Sequence, residues 1–341
     1  MDLLRFVLRR LFFGVFVVLS VITITFVLSH HLGGNIIVAW LGKAASMHPE
    51  LAAIYAEKYH LNDPIWVQYY YYIIGLMQGN FGFSPSRGFQ PVLTVIGQTL
   101  PFTLQLVFLA FIISMTLGVL LGVIAARYSH TTTDGTIRAF YFAGYSSPAF
   151  FVALVLLIVF SFTLHILPSG GAFNPSIPQP TWITGLPIID SLLEGDWAYF
   201  TSDIQHMILP SLALALVNFG IVTRLLRSSM LEVMHTNYIR AARARGFDEN
   251  TVFYKYALRN ALMPVVTLSS LMLTWLITST IFVENVFAYP GMGQYVVSAL
   301  VAEDYPGILG CAIVFALTIV AGNLIADLLY AVVDPQVRLG E

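Results

Sequence analysis

Pro101-Phe-Thr-Leu-Gln-Leu-Val-Phe-Leu-Ala-Phe-Ile-Ile-Ser-Met-Thr-Leu-Gly118-Val-Leu-Leu-Gly122-Val-Ile-Ala-Ala126 contains no Asp, Glu, Lys or Arg. Wound as a helix at about 1.5 Å per residue, it is long enough to cross a hydrocarbon core of ~30 Å. Five further uncharged runs predict spans: Leu11–His30, Ala139–Leu164, Met207–Thr223, Ala261–Val283 and Gly307–Ala326. The shortest is Met207–Thr223, and Arg224 and Arg227 can snorkel to its inner end. Only 10% of the 341 residues are charged, against about 25% for an average soluble domain. With 57% hydrophobic residues and a mean hydropathy of +0.79, the chain reads as an all-α polytopic membrane protein with six transmembrane helices. The first run exceeds the ~7–15 residues of a signal-peptide core and no small-x-small cleavage site follows it, so a retained helix is expected.

The 16 Lys and Arg set the orientation. Arg5, Arg9, Arg10, Arg127, Arg138, the seven from Arg224 to Arg259, and Arg338 fall on one side. Lys43, Lys58 and Arg87 fall on the other, in one long loop, His31–Leu100. The positive-inside rule then puts both termini in the cytoplasm. Within the outer loop, His60-Leu-Asn-Asp-Pro is a turn signal leading into an amphipathic aromatic run that ends at Gly79-Asn-Phe-Gly82. The second outer loop, His165–His206, has no Lys or Arg and is rich in Pro and Gly. Tyr289-Pro-Gly-Met-Gly293 is expected to stop the fifth helix sharply.

Signatures of catalysis are missing: Gly42-Lys43 belongs to no phosphate loop, no H-E-x-x-H occurs, and Ser146 lacks the second glycine of a nucleophile elbow. The single cysteine, Cys311, gives neither a disulfide framework nor a cysteine metal site. His30-His31 fits an interfacial pair better than a metal site. Gly118, Gly122 and Ala126 recur every four residues, which suits close helix packing or, alternatively, the lining of a passage. Pro148 is expected to kink the third span. Glu284, near the outer end of the fifth span, reads as a hydrated interfacial carboxylate, with outer gating as the alternative. Asp327, with Asn323 four residues earlier, reads as a structural hydrogen bond or a partner for a cytoplasmic Arg.

The cytoplasmic connection is richer. In Asn237-Tyr-Ile-Arg-Ala-Ala-Arg-Ala-Arg-Gly-Phe247, Asn237 suits an N-cap and Gly246 a C′ position, predicting a two-turn helix over Tyr238–Arg245. Ala241, Ala242 and Ala244 keep it slim enough for a groove, and Arg240 and Arg243 share a face suited to pairing with carboxylates. Asp248 can cap a second helix carrying Lys255 and Arg259. Two plainer explanations compete: the basic residues hold topology or bind anionic membrane lipids, and the alanines merely favour helix.

Tyr238-Ile-Arg-Ala-Ala-Arg-Ala-Arg-Gly246 and Tyr256-Ala-Leu-Arg-Asn-Ala-Leu-Met-Pro264 resemble the cytoplasmic loop of membrane subunits of binding-protein-dependent ABC importers. The chain is similar to the first-permease branch of the dipeptide/oligopeptide permease family along nearly its whole length. The likeness continues through Leu61-Asn-Asp-Pro64, Gly79-Asn-Phe-Gly-Phe-Ser84, Gly144-Tyr-Ser-Ser-Pro148, His206-Met-Ile-Leu-Pro210 and Arg227-Ser-Ser-Met-Leu-Glu-Val233. Glu284-Asn-Val-Phe-Ala-Tyr-Pro-Gly-Met-Gly293 and Asp327-Leu-Leu-Tyr…Asp334-Pro335 complete it. Arg240 stands where the general importer motif has Glu, and Pro264 comes later than the motif's Pro, both as this branch has them. Asn80 replaces a more frequent Asp, and Gln105 a frequent Glu.

The resemblance implies a type I ABC importer permease fold with an N-terminal transmembrane helix (1–32), an extracytoplasmic loop with an amphipathic segment (33–98) and a five-helix core (99–335) holding the coupling loop (227–260). It implies a second homologous permease, two ATP-binding cassette ATPase subunits that bind ATP and Mg, an extracytoplasmic substrate-binding protein, and no cofactor, enzyme activity or nucleic-acid partner in this chain. Tyr238, Arg240, Ala241, Ala242, Arg243, Arg245, Gly246 and Phe247 would form the ATPase-coupling surface, where tryptophan at Ala242 or Gly246 would block docking by bulk. Gln105, Glu284, Asn323 and Asp327 are the candidate gating or structural polar residues. Peptides are the implied cargo, with oligosaccharides or nickel complexes carried by the same machinery as the alternative. A self-sufficient channel or ion-coupled carrier would need more polar groups inside the helices than this sequence offers.

Overall fold

The computed structural model describes residues 3–32, 49–58 and 60–333. Lys43, Arg338 and Asp334-Pro335, and the side chains of Arg5, Lys58 and Asp327, lie outside the described residues.

Helix α1 (Leu3–Leu32) is followed by α2 (Pro49–Lys58) and α3 (Ile65–Met77), the aromatic run after the His60–Pro64 turn. Gln68 explains how that turn is held: its amide donates to the carbonyls of Leu61 (3.1 Å) and Asp63 (2.7 Å) and faces His30 Nε2 at 2.9 Å. Phe26 of α1 packs edge-on to Tyr69 at 5.1 Å, so the aromatics of α3 cover α1. His30 is thus engaged with Gln68 and with the Phe26 carbonyl, while the side chain of His31 lies outside the described residues. A short antiparallel pair, β1 (Phe83–Ser84) with β2 (Gln90–Pro91), leads into α4 (Val92–Arg127). The second span therefore begins before Pro101, which the helix contains.

Helix α5 (Thr132–Tyr145), which starts ahead of the third uncharged run and carries Asp134 and Arg138, and helix α6 (Ala149–Leu156), extended by a π-helical stretch over Leu157–Thr163, cover that run. Their axes differ by 105°. The expected kink at Pro148 is therefore a break: Pro148 has no N–H to donate, its φ of −61° and ψ of 142° are extended, and Ser146 caps the first half.

Helix α7 (Pro187–Glu194) opens with Pro at its first position and closes on left-handed Gly195 (φ 74°). Asp196 then caps α8 (Trp197–Met234), accepting from the Tyr199 N–H at 3.0 Å. At 38 residues, α8 is about 57 Å long and projects beyond the hydrocarbon core. After α9 (Asn237–Ala244) come a π-helical stretch (Thr251–Ala257), α10 (Leu258–Ala261), α11 (Met263–Val286), α12 (Met292–Val301) and α13 (Tyr305–Val333). Among the described residues, α1, α4, α8 and α13 are each long and apolar enough to cross a membrane. Counting α5–α6 and the bent unit ending in α11 as one span each gives six.

The core lies where α4 meets α8. A Cβ on Gly118 would stand 2.5 Å from Val222 Cβ, and one on Gly122 would stand 3.0 Å from Leu226 Cβ. Gly118 is buried, so the small-residue stripe is a packing surface, letting two backbones approach as membrane helices do. Gly144 presses on α8 from the other side: its added Cβ would fall on the Leu216 carbonyl oxygen, a backbone atom with little freedom to move. Gly144→Ala is expected to destabilise the protein by about 1–3 kcal/mol, measured as a lower midpoint of thermal unfolding in detergent.

Candidate functional site

The cytoplasmic site is built on α9. Its N-cap is Thr236, not Asn237, which is the first helical residue; Thr236 makes no side-chain cap and bonds its hydroxyl to the Val233 carbonyl instead. The C-terminal end follows expectation. Gly246 is left-handed (φ 84°), its N–H bonds Arg243 O at 2.9 Å, and the Phe247 N–H bonds Ala242 O at 3.4 Å. Those two bonds make a Schellman cap, which satisfies carbonyls that a helix end leaves open.

One face of α9 belongs to this chain. Ile239 and Ala242 are buried, so Ala242 is not on the outward surface where the slim-helix pattern placed it. Ala241, Ala244, Arg240, Arg245 and Gly246 are exposed, and Tyr238 and Phe247 present aromatic surface beside them. Arg240 and Arg243 do not act as a matched pair. Arg243 is clamped to Glu249, with Nε to Oε1 at 2.7 Å and Nη2 to Oε2 at 3.2 Å, and the guanidinium holds the Glu249 carboxyl below its usual range. Arg240 and Arg245 have no ion-pair partner among the described residues and keep their charge available.

The spans grip this helix at several points. Asn260 donates to the Tyr238 hydroxyl at 2.8 Å, and the Phe247 and Tyr256 rings lie 5.3 Å apart. Asp248 accepts from the Thr251 N–H at 3.0 Å, capping the next helix as its position suggests. Arg127, at the inner end of α4, donates to Asn250 at 3.0 Å and lies over the Phe253 ring at 5.2 Å. Nearby, Arg227 of α8 makes a fork with Asp134 of α5, both bonds 2.7 Å, while Arg138 stands 3.7 Å away. Asp134 is 1% exposed. Arg227→Ala is expected to cost about 3–5 kcal/mol by leaving a buried carboxylate without its fork, with Arg227→Lys restoring only part; the unfolding midpoint of the purified protein reports both.

A second polar constellation lies at the outer ends of the helices. Glu284 is not hydrated: it is fully buried. Its Oε1 accepts from the Thr103 hydroxyl at 2.7 Å, and its Oε2 accepts from the N–H groups of Gly293 (2.7 Å) and Gln294 (3.1 Å). Thr103 Oγ1 in turn accepts from the Met292 N–H at 2.8 Å. Together they occupy the open N–H groups at the start of α12, where a carboxylate also meets the positive end of the helix dipole. Gln105 donates to the Tyr289 hydroxyl at 2.7 Å and to Asp203 at 3.2 Å, tying α4 and α8 to the turn after α11. Asn323 accepts from Thr274 at 2.9 Å, a structural bond between α13 and α11.

Sequence reasoning missed Asp304. It lies before α13, fully buried, and accepts from Ser84 Oγ, Ser86 Oγ (2.6 Å), Ser86 N (3.2 Å) and Gly307 N (2.9 Å). It latches the Gly79–Ser84 segment to the core. An acidic residue just before an apolar run was the available signal, and only the fold supplies its partners from 218 and 220 positions away. Among the described residues, no group of three or more His, Cys, Asp or Glu is placed to hold a metal ion.

The fold is a bundle of membrane-length helices with α9 tied to the spans at one end and a loop assembly latched to the core at the other. Residues 118–339 match the family described as binding-protein-dependent transport system inner membrane component, and residues 3–107 match its N-terminal region. The chain belongs to this family of multi-pass inner-membrane permease subunits. It is 38% identical over 335 residues to the probable D,D-dipeptide transport system permease protein DdpB of Escherichia coli K12, covering 98% of each chain. It is 35% identical to the oligopeptide transport system permease protein AppB of Bacillus subtilis 168 (98% of this chain, 99% of that one). It is 33% identical to the dipeptide transport system permease protein DppB of E. coli K12, with the same coverage. In fold it is similar to a chain of the inward-facing MetNI methionine ABC transporter, with a TM-score of 0.52 at 14% identity over 70% of this chain and 96% of that one. Family membership implies ATPase and binding-protein partners.

Proposed function

We propose that this chain is one of two homologous permease subunits that together line the translocation pathway of an importer for di- or oligopeptides. Two ATP-binding cassette ATPases drive it from the cytoplasm, and an extracytoplasmic binding protein delivers the cargo. The observation that carries this reading is α9, a capped helix with a small, basic outward face and a buried inner face. Movement imposed on it passes through Ile239, the Tyr238–Asn260 bond and the Arg127–Asn250 bond to α4 and to the unit ending in α11. Tyr238, Arg240, Ala241, Ala244, Arg245, Gly246 and Phe247 form the ATPase-facing surface in this proposal, with Ala242 and Arg243 holding its shape. The peptide cargo is supported by the named substrates of the relatives.

Co-purification from membranes tests the reading. A stable complex containing both ATPase subunits and a second permease, with ATP-dependent uptake of a dipeptide into vesicles, is expected. Uptake that persists with no ATPase bound would overturn it.

A further inference from the structure

Between the outer ends of α4 and α12 and the loop preceding α7 lies a cavity of about 690 Å3. That is within the ~300–1,000 Å3 range of small-molecule sites. Arg87 is the one charged residue among those lining it. Gln98, Gln179 and Gln294 also line it, and Phe102 and Trp182 give it aromatic walls. It is separate from the Gln105–Asp203–Tyr289 cluster: the Phe102 ring packs edge-on against Trp182 at 6.3 Å and against Tyr289 at 6.0 Å, closing that side.

The charge arrangement is selective. The start of α12 borders the cavity, yet its N–H groups are already taken by Thr103 and Glu284, so they offer nothing to an incoming anion. Attraction for an anion is left to Arg87. Its guanidinium lies over the Tyr295 ring at 5.5 Å, which orients it without neutralising it, and no carboxylate pairs with it among the described residues. The turn that carries it, Pro85–Arg87, is fixed by the serine–Asp304 latch and ends on left-handed Gly88 (φ 65°). A held guanidinium with its fork open suits a carboxylate, which accepts two parallel bonds.

We propose that this cavity is an outward-facing transit site in which Arg87 takes the free carboxylate of a short peptide, while the glutamine amides meet its backbone and Phe102 and Trp182 cover its side chains. The proposal rests on the peptide-import reading and deepens it, giving the permease a selectivity step of its own. A neutral sugar would leave the one cation of the cavity without use.

The test uses the complete transporter complex in lipid nanodiscs, without binding protein, titrated calorimetrically with dialanine and with dialanine C-terminal amide. Dialanine is expected to bind, and both amidation and Arg87→Gln are expected to weaken binding by roughly tenfold or more. Arg87→Lys should retain part of the affinity and Trp182→Ala should weaken both ligands alike. Equal affinity for acid and amide, no binding to the unmutated complex, or unchanged dialanine affinity in Arg87→Gln would overturn the site. In a parallel ATP-hydrolysis assay with binding protein added, loss of its stimulation alongside unchanged dialanine affinity would assign Arg87 to contact with that protein and also overturn the site. ATP hydrolysis is recorded in the parallel samples that contain binding protein. Its absence defeats the subunit assignment, whereas hydrolysis without carboxylate dependence defeats the transit site alone.

Discussion

Ala241→Trp is expected to bring ATP-dependent uptake to background while the amount of protein in the membrane stays at the level of the unmutated chain. Ala241 is exposed on α9, two residues from Ile239, which anchors the opposite face and is fully buried. An indole there extends from an exposed position and would fill the groove in which the helix is proposed to sit. Overpacking a complementary contact costs about 1–3 kcal/mol even where neighbours can shift, and a rigid groove offers less relief. The measurement is paired: uptake in vesicles, and recovery of ATPase subunits on the purified permease. Normal ATPase recovery and normal uptake would remove α9 from the coupling surface. Ala242→Trp behaves differently, because Ala242 is 6% exposed and packs inward; that variant is expected to lose folded protein instead. Gly246→Trp is equally indirect, since a side chain at φ 84° strains the cap before it touches a partner.

The second large effect is expected at the outer face. In Gly293→Ala the new methyl would stand 2.5 Å from Ile281 Cα and 2.9 Å from Glu284 Oε2. Neither can yield cheaply: the first is helix backbone and the second is a carboxylate held by Thr103 and two N–H groups. The start of α12 must move off Glu284, leaving a buried carboxylate short of its donors. The expected cost is about 3 kcal/mol or more, the range for an uncompensated buried charge. It should show as a fall in the unfolding midpoint and in the yield of folded protein. Thr103→Val removes one donor to Glu284 and the acceptor for Met292, and is expected to produce a smaller fall of about 1–3 kcal/mol. A Gly293→Ala protein as stable as the unmutated one would show that Glu284 does not hold α12.

Much of this architecture is written in composition and spacing. Uncharged runs located the spans because no lipid-exposed helix can carry many charges, and the distribution of Lys and Arg set their direction. The Gly246 cap was legible because it depends on residues within one turn. Polar groups were legible only as candidates. Glu284 looked like a carboxylate at the water's edge, since distance along a helix says nothing of what packs over its end. Pro148 announced a kink, while the 105° angle and the close approach of Gly144 and Tyr141 to α8 appear only in the fold.

By itself, then, the sequence determined a polytopic helical protein, its orientation, a small helix predicted over Tyr238–Arg245 and the family to which its motifs conform. These are local properties, fixed by hydropathy, backbone geometry and short motifs. The tertiary structure alone decided which alanine of α9 faces outward, that Arg243 is occupied by Glu249, that Asp304 holds a serine turn from the far end of the chain, and that Arg87 stands open over a cavity. Each of these depends on partners brought together from distant positions, and a hydrogen bond or a steric contact exists only once both sides are in place.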